Sequence, residues 1–191
     1  MRGIYVALLR GINVGGKNKL PMKDLAAMFA KGGATGVSTY IQSGNVIFSA
    51  AARVADALPG LVTAQIAERF GYRIPIVLRT AEQLAEAIRR NPYIAPGADL
   101  SGLHVLFLAD LPTLQAVGTL DPQRSAPDEY AVRGRDVYFL LRTGAANTKL
   151  TNAYFDSRLS TVSTGRNWRT VLKLGELTTA SSEARGPVDP R

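Results

Sequence analysis

The chain has 191 residues, 46% of them hydrophobic and 20% charged, and a formal net charge of +8. At that length one domain or two small ones bury roughly 70% of the unfolded surface without needing a disulfide or a metal. Cysteine is absent, which excludes thiolate nucleophiles, redox pairs and cysteine zinc sites.

In chain order, Ile4 to Leu9 is a continuous apolar run and reads as a central strand buried on both faces. It is too short for a signal peptide and is followed by Arg10 where a small-residue cleavage site would stand. No later run approaches the ~20 residues of a membrane span, so a cytoplasmic location is expected. Gly11 to Leu20 lacks periodicity and reads as loop. Pro21 opens a helix with Met22, Leu25, Met28 and Phe29 on one side, ended by Gly32 and Gly33. "GVSTYIQSGNVIFSA" is a hairpin turning at Ser43 and Gly44. A second helix carries Val62, Ile66 and Phe70 on one face, with Pro59 and Gly60 marking a break or a start. "YRIPIVLRT" is a strand.

Strand, helix, hairpin, helix, strand is the split βαβ unit of ferredoxin-like folds. Thr80 and Gln83 form a capping box for a linking helix with Leu84 and Ile88. After "NPYIAPGADLSG" the series repeats: a strand at "LHVLFLAD", a helix opened by Pro112, a hairpin from Glu129 to Arg142 turning near Gly134, a helix from Thr148 to Leu159 and a short extended piece. A further helix from about Asn167 to Leu177 follows. The fold class expected is α+β, two ferredoxin-like (βαββαβ) plaits with an additional C-terminal helix. The expected boundaries are residues 1–90 for the first plait and linking helix, 91–101 for a linker, 102–180 for the second plait, and 181–191 for a tail, the last dozen residues being read as frayed.

Gly11, Gly16 and Lys17 have the spacing of a phosphate-binding loop behind a buried strand. Asn18 stands where that motif has Ser or Thr, Pro21 delays the helix, and hairpins contradict the parallel sheet it requires. What survives is more general. The backbone amides of Gly15 and Gly16, flanked by Lys17 and Lys19, could cradle an anion; the bland reading is a solvated turn. The lysines are six against seventeen arginines, and Lys17, Lys19, Lys23 and Lys31 fall within fifteen residues. RNA-recognition domains share the plait topology, but their third strand offers several exposed aromatics, and here "NVIFSA" has Phe48 alone. Tyr5 and Phe48 read as core.

Near the end, Lys149 and Asn152 lie three apart, which would place them on one helix face. Thr164 to Asn167 precede the last helix, where Arg166 and Asn167 could bind an anion, or Thr164 or Asn167 could simply cap it. Trp168 reads as an apolar anchor with Val171 and Leu172, and His104 as a packed strand residue. Neither a carboxylate pair nor a metal site is legible.

"ALLRGINVGGKNKLPMKDL" with "TYIQSGNVIFS", "TKLTN" and "RNWRTVLKL" together resemble the bacterial domain-of-unknown-function family numbered 1697, from Tyr5 to about Leu177. The resemblance implies two ferredoxin-like plaits and no activity. The family's pattern falls on Arg10, Gly11, Asn13, Gly15, Gly16, Lys17 and Lys19, on Gln42, Ser43, Gly44 and Asn45, and on Lys149, Leu150, Thr151, Asn152, Arg166, Asn167, Trp168 and Thr170. Thr148 stands where the family commonly has serine. Polar residues in such numbers are hard to explain by packing.

The expectation is a binding protein, or an enzyme, for a phosphate-bearing or otherwise anionic small molecule held between the plaits. Lys17, Lys19, Lys149 and Arg166 would supply charge; Asn13, Gln42, Asn45 and Asn152 would hydrogen-bond its polar edges. If there is a reaction, the inventory favours electrostatic positioning or a lysine acid/base over a nucleophile. Two alternatives stand beside it: a sequence-independent nucleic-acid binder and a non-catalytic interaction module. No cofactor is named, no membrane partner is expected, and a monomer is favoured.

Overall fold

A computed structural model describes residues 2–183 apart from 96, 98 and 99. The chain divides into two compact units, residues 1–85 with the chain from Lys173 onward, and Glu86–Leu172.

In the first unit, strands β1 (Arg2–Leu9), β2 (Thr35–Tyr40), β3 (Asn45–Ala51) and β4 (Ile76–Thr80) form an antiparallel sheet in the order β2-β3-β1-β4. Helix α1 (Met22–Lys31) joins β1 to β2, and α2 (Ala52–Phe70) joins β3 to β4. The helices pack on the sheet face that carries Tyr5, Ala7, Leu9, Val46, Phe48 and Ala50, with Phe29, Leu58, Val62 and Ile66 completing the core. Tyr5 stacks on Phe48 with ring centroids 5.6 Å apart, so both aromatics are core residues. The opposite face, with Ile4, Val6, Leu8, Ile47 and Val77, is buried too. That accounts for the unbroken apolar reading of β1, since a strand buried on both faces has no polar side to alternate with.

Helix α2 starts at Ala52 and runs through Pro59, where the sequence suggested a break or a start. A mid-helix proline costs about 3 kcal/mol, but Ala55 and Leu58 before it and Val62 and Ile66 after it all bury on the sheet. Their combined burial, about 1.5–3 kcal/mol for each large side chain, holds the helix continuous. Strand β4 begins only after Pro75, which has no N–H for a ladder; its carbonyl instead accepts the Arg10 N–H at 3.0 Å. The Thr80–Gln83 capping box forms as expected, with both reciprocal bonds at 3.1 Å, and α3 (Ala81–Arg89) follows.

The second unit repeats the plan with β5 (Leu103–Leu108), α4 (Leu114–Gly118), β6 (Glu129–Arg133), β7 (Asp136–Leu140), α5 (Asn152–Leu159) and β8 (Ser163–Asn167), in the order β6-β7-β5-β8. Its core gathers Leu106, Leu108, Val137, Phe139, Phe155 and Leu159. Two sequence boundaries shift. Helix α5 begins at Asn152, because Thr151 takes the cap and accepts the Tyr154 N–H at 3.3 Å; Lys149 therefore precedes the helix and does not share a face with Asn152. Helix α6 (Trp168–Glu183) outlasts Leu177. Its polar end turns inward on itself, with the Thr178, Thr179, Ser181 and Ser182 hydroxyls donating to carbonyls three or four residues back, a local substitute for water. Of the stretch read as frayed, Ala180 to Glu183 are helical and residues 184–191 lie outside the described residues.

The repeat extends to register. Arg79 of β4 pairs with Val6, and Arg166 of β8 pairs with Val105. Both arginines are buried and both donate to the carbonyl of the preceding residue. The next residue in each case, Thr80 or Asn167, caps the helix that follows.

Candidate functional site

Three segments of the first unit meet at one end of its sheet. Leu9 N–H donates to Gly44 O at 2.8 Å and Arg10 N–H to Pro75 O, while Tyr72 OH donates to Lys19 O. They bring together the opening loop, the β2–β3 turn and the chain entering β4.

The opening loop is held from inside by its asparagines. Asn13 and Asn18 occupy the left-handed region at φ 54° and 48°, which asparagine tolerates better than most residues. Asn13 Nδ2 donates to Leu20 O at 3.0 Å and to Gln42 O at 2.9 Å, and its Oδ1 accepts the Leu20 N–H at 2.8 Å. Asn18 Nδ2 closes onto Gly11 O at 2.9 Å. Val14 and Lys17 pair across Gly15 and Gly16, with the Lys17 N–H on Val14 O at 3.0 Å and both glycines at positive φ, 58° and 76°. Two consecutive positive φ angles make a type I′ turn, so the glycines shape a small hairpin tip.

The β2–β3 turn is equally constrained. Asn45 is fully buried and its Nδ2 donates to Tyr40 O at 3.1 Å and to Ser43 Oγ at 3.0 Å. Gln42 is exposed, with its carbonyl taken by Asn13. Ile41 is exposed at φ 50°, an outlier for a β-branched residue and a place where strain is stored. Above this scaffold Lys17 and Lys19 are exposed, and neither makes an ion pair among the described residues. Residues 10–23 hold Arg10, Lys17, Lys19 and Lys23 without an Asp or Glu, residues 40–45 hold no charge, and residues 71–76 add only Arg73. These three segments thus carry cations and no carboxylate.

In the second unit the loop before α5 rests on Asp128, a buried carboxylate. Asp128 accepts the Thr143 N–H at 2.8 Å, the Thr143 hydroxyl at 2.8 Å and the Ser125 hydroxyl at 3.0 Å. Burial pushes its pKa up, but these bonds together outweigh burial and hold it below the ordinary carboxylate value. Ser125 Oγ in turn accepts the Lys149 N–H at 2.9 Å and lies 3.2 Å from the Thr148 hydroxyl. Thr148 Oγ1 also accepts the Leu150 N–H at 3.2 Å. The hydroxyl at position 148 thus fixes the loop, a job serine does as well.

Asn152 Nδ2 donates to Ser163 Oγ at 3.0 Å, and Asn167 Oδ1 accepts the Thr170 N–H at 2.8 Å. Arg166 donates to Thr164 Oγ1 at 2.9 Å and to Gly165 O at 2.8 Å, and burial lowers its pKa to about 10. Lys149 is exposed and its side chain has no ion pair among the described residues. Trp168 and Val171 are buried, whereas Leu172, expected beside them, is 36% exposed. His104 Nδ1 lies 3.3 Å from Gly102 O. Arg124, Ser125, Asp128 and Thr143 carry no sequence signal, since nothing in their spacing shows that they meet. Arg79 does carry one in the repeat, because an arginine followed by a capping residue closes both plaits.

A family model described as a protein of unknown function, DUF1697, matches residues 3–138. The chain belongs to this family. The match within this DUF1697 chain takes in the opening loop and the β2–β3 turn, ends inside β7 of the second unit, and so stops before Thr148. Among solved structures, the conserved bacterial protein SP0830 from Streptococcus pneumoniae is similar, with 23% identity over 93% of this chain and 99% of that chain and a TM-score of 0.69. At that identity the likeness concerns the fold. No functionally curated protein matches.

Proposed function

We propose that this DUF1697 protein binds a phosphate-bearing or otherwise anionic small molecule at the loop end of its first unit. The observation that carries the reading is the pair Lys17 and Lys19, exposed, without ion pairs among the described residues, and set on a loop whose backbone is tied down by Asn13, Asn18 and Tyr72. A lysine that protrudes from a floppy loop loses rotamer and backbone freedom when it binds; one on a stiff loop loses less, and the saving appears as affinity. The amides of Gly15 and Gly16 supply further donors, Arg10 adds field, and Gln42 and Ser43 border the site, while Asn13 and Asn45 act by holding the two segments in place. Lys149 offers an exposed charge of the same kind in the second unit, where Asn152 ties the start of α5 to the start of β8, and Arg166 and Asn167 fix the far end of that strand and the start of α6.

The test is titration of the 15N-labelled full chain with inorganic phosphate and with pyrophosphate, alongside native mass spectrometry of freshly purified protein for a retained small molecule. The Gly15, Gly16 and Lys17 amides are expected to shift in a saturable way. In the Lys17→Ala/Lys19→Ala variant the affinity read there is expected to fall by about tenfold or more, since charge-assisted contacts contribute about 1.5–3 kcal/mol each. Unchanged affinity, or an absence of shifts at those amides, overturns the reading.

A further inference from the structure

The second unit holds a cluster that the opening loop does not involve. Tyr154, 8% exposed at the start of α5, carries two guanidinium groups. The Arg124 carbon lies 4.2 Å from its ring centroid and the Arg158 carbon 5.9 Å. The ring is itself fixed, because its hydroxyl oxygen accepts the Asp121 N–H at 2.7 Å and it stands edge-on to Phe155 at 5.1 Å. Arg124 Nε donates to the Lys149 backbone carbonyl at 3.3 Å, which brings the chain at the exposed Lys149 up to the guanidinium.

Arg124 thereby uses one ring face and one N–H, and its terminal nitrogens make no hydrogen bond among the described residues. Arg124, Lys149 and Arg158 are all exposed and none makes an ion pair among the described residues. Of the carboxylates in the same segments, Asp128 lies in its buried network and Asp156 accepts the Ser163 hydroxyl, while Asp121, which accepts the Gln123 N–H at 2.9 Å, leaves a single exposed negative charge against the three cations.

Like charges gathered in one place repel, and a surface with no use for them would disperse or pair them. Here the fold does the reverse. It buries a carboxylate, Asp128, and uses it with Ser125, Thr143 and Thr148 to lock the two loops that carry Arg124 and Lys149. A guanidinium set over an aromatic ring, exposed and with its terminal N–H groups unbonded among the described residues, has a fork to offer an oxyanion, and two further cations match a doubly charged one.

We infer that Arg124, Lys149 and Arg158, arranged on Tyr154, form a second anion site in this protein, one that takes the phosphate or diphosphate group of a small molecule. It stands independently of the opening loop, and its test reads different atoms.

Inorganic phosphate and pyrophosphate are titrated into the labelled full chain, following the Arg124 Nε–H and the amides of Ser125 and Lys149. Saturable shifts there are expected, and they persist in Lys17→Ala/Lys19→Ala. Arg124→Lys keeps the charge and loses the fork, and is expected to weaken pyrophosphate binding about tenfold; Lys149→Ala is expected to weaken it by a similar factor. A native-like amide spectrum of each variant shows that it folds, and the wild-type shifts decide the matter if one does not. No shift at these atoms, equal affinity in Arg124→Lys, or binding of a single-stranded oligonucleotide without binding of pyrophosphate overturns the inference.

Discussion

Asparagine and aspartate decide what the loops of this protein look like. Asn13, Asn18 and Asn45 turn their amides onto backbone groups of neighbouring segments, and Asn167 caps a helix, so a polar signature here stiffens the chain as well as marking a surface. Asp128 is the strongest case, because it is buried and gathers two hydroxyls and a backbone N–H from Ser125 and Thr143. Its folded pKa is depressed, so its contribution is present above the unfolded value of 3.8 and is lost as pH falls through the folded pKa. Asp128→Asn is expected to cost about 1–3 kcal/mol at pH 7, because donors are left facing an amide. Urea unfolding at pH 7 and at pH 3 checks this: the wild type should lose stability in the acid range and the variant should lose less, and parallel pH profiles would contradict the assignment.

At the scale of elements, the two turns around the opening loop use glycine for different reasons. Gly44 sits at φ 76° with an added Cβ 2.7 Å from Leu9 Cβ and 3.0 Å from Ile12 Cδ1, whereas Gly15, at φ 58°, has nothing within 4 Å. Gly44→Ala combines backbone strain with overpacking and is expected to cost about 2–4 kcal/mol; Gly15→Ala meets strain alone, about 1–2 kcal/mol. Thermal unfolding of both variants ranks them, and equal losses would mean the β2–β3 turn yields instead of clashing. The same scale shows why some element boundaries could be read and others could not. The Thr80 capping box and the α1 stripe are local and were legible, because the residues that make them are three or four apart. Pro59 pointed the wrong way because its cost is local while the burial that overrides it, on either side along α2, comes from the sheet. The spacing of Lys149 and Asn152 predicts a shared helix face, but Thr151 takes the cap and leaves Lys149 outside α5.

Over the whole molecule the net charge of +8 keeps the nucleic-acid alternative in play, since any basic surface attracts a polyanion. Tyr5 and Phe48 lie in the core, which leaves that alternative to phosphate contacts without base stacking from either. Binding of a single-stranded oligonucleotide is accordingly expected to be sequence-independent and to weaken by at least about tenfold between 50 and 200 mM salt, as counterion release demands. A salt-insensitive, sequence-selective complex would call for a different surface. Among the described residues no helix is long and apolar enough to cross a membrane.

What the order of residues determined by itself was the repeated plait, because strand, helix and hairpin signals depend on side-chain period and turn chemistry a few residues at a time. It also marked the opening loop and the polar segments beyond residue 145 as unusual, since asparagine, lysine and glycine in such runs do not build a core. Only the tertiary structure decided which of those residues hold the loops and which face water, and it brought Arg124 and Lys149 together beside Tyr154 through a buried aspartate. That juxtaposition comes from hydrogen bonds between positions more than twenty residues apart, such as Lys149 to Ser125, and no local period or spacing encodes a contact of that kind.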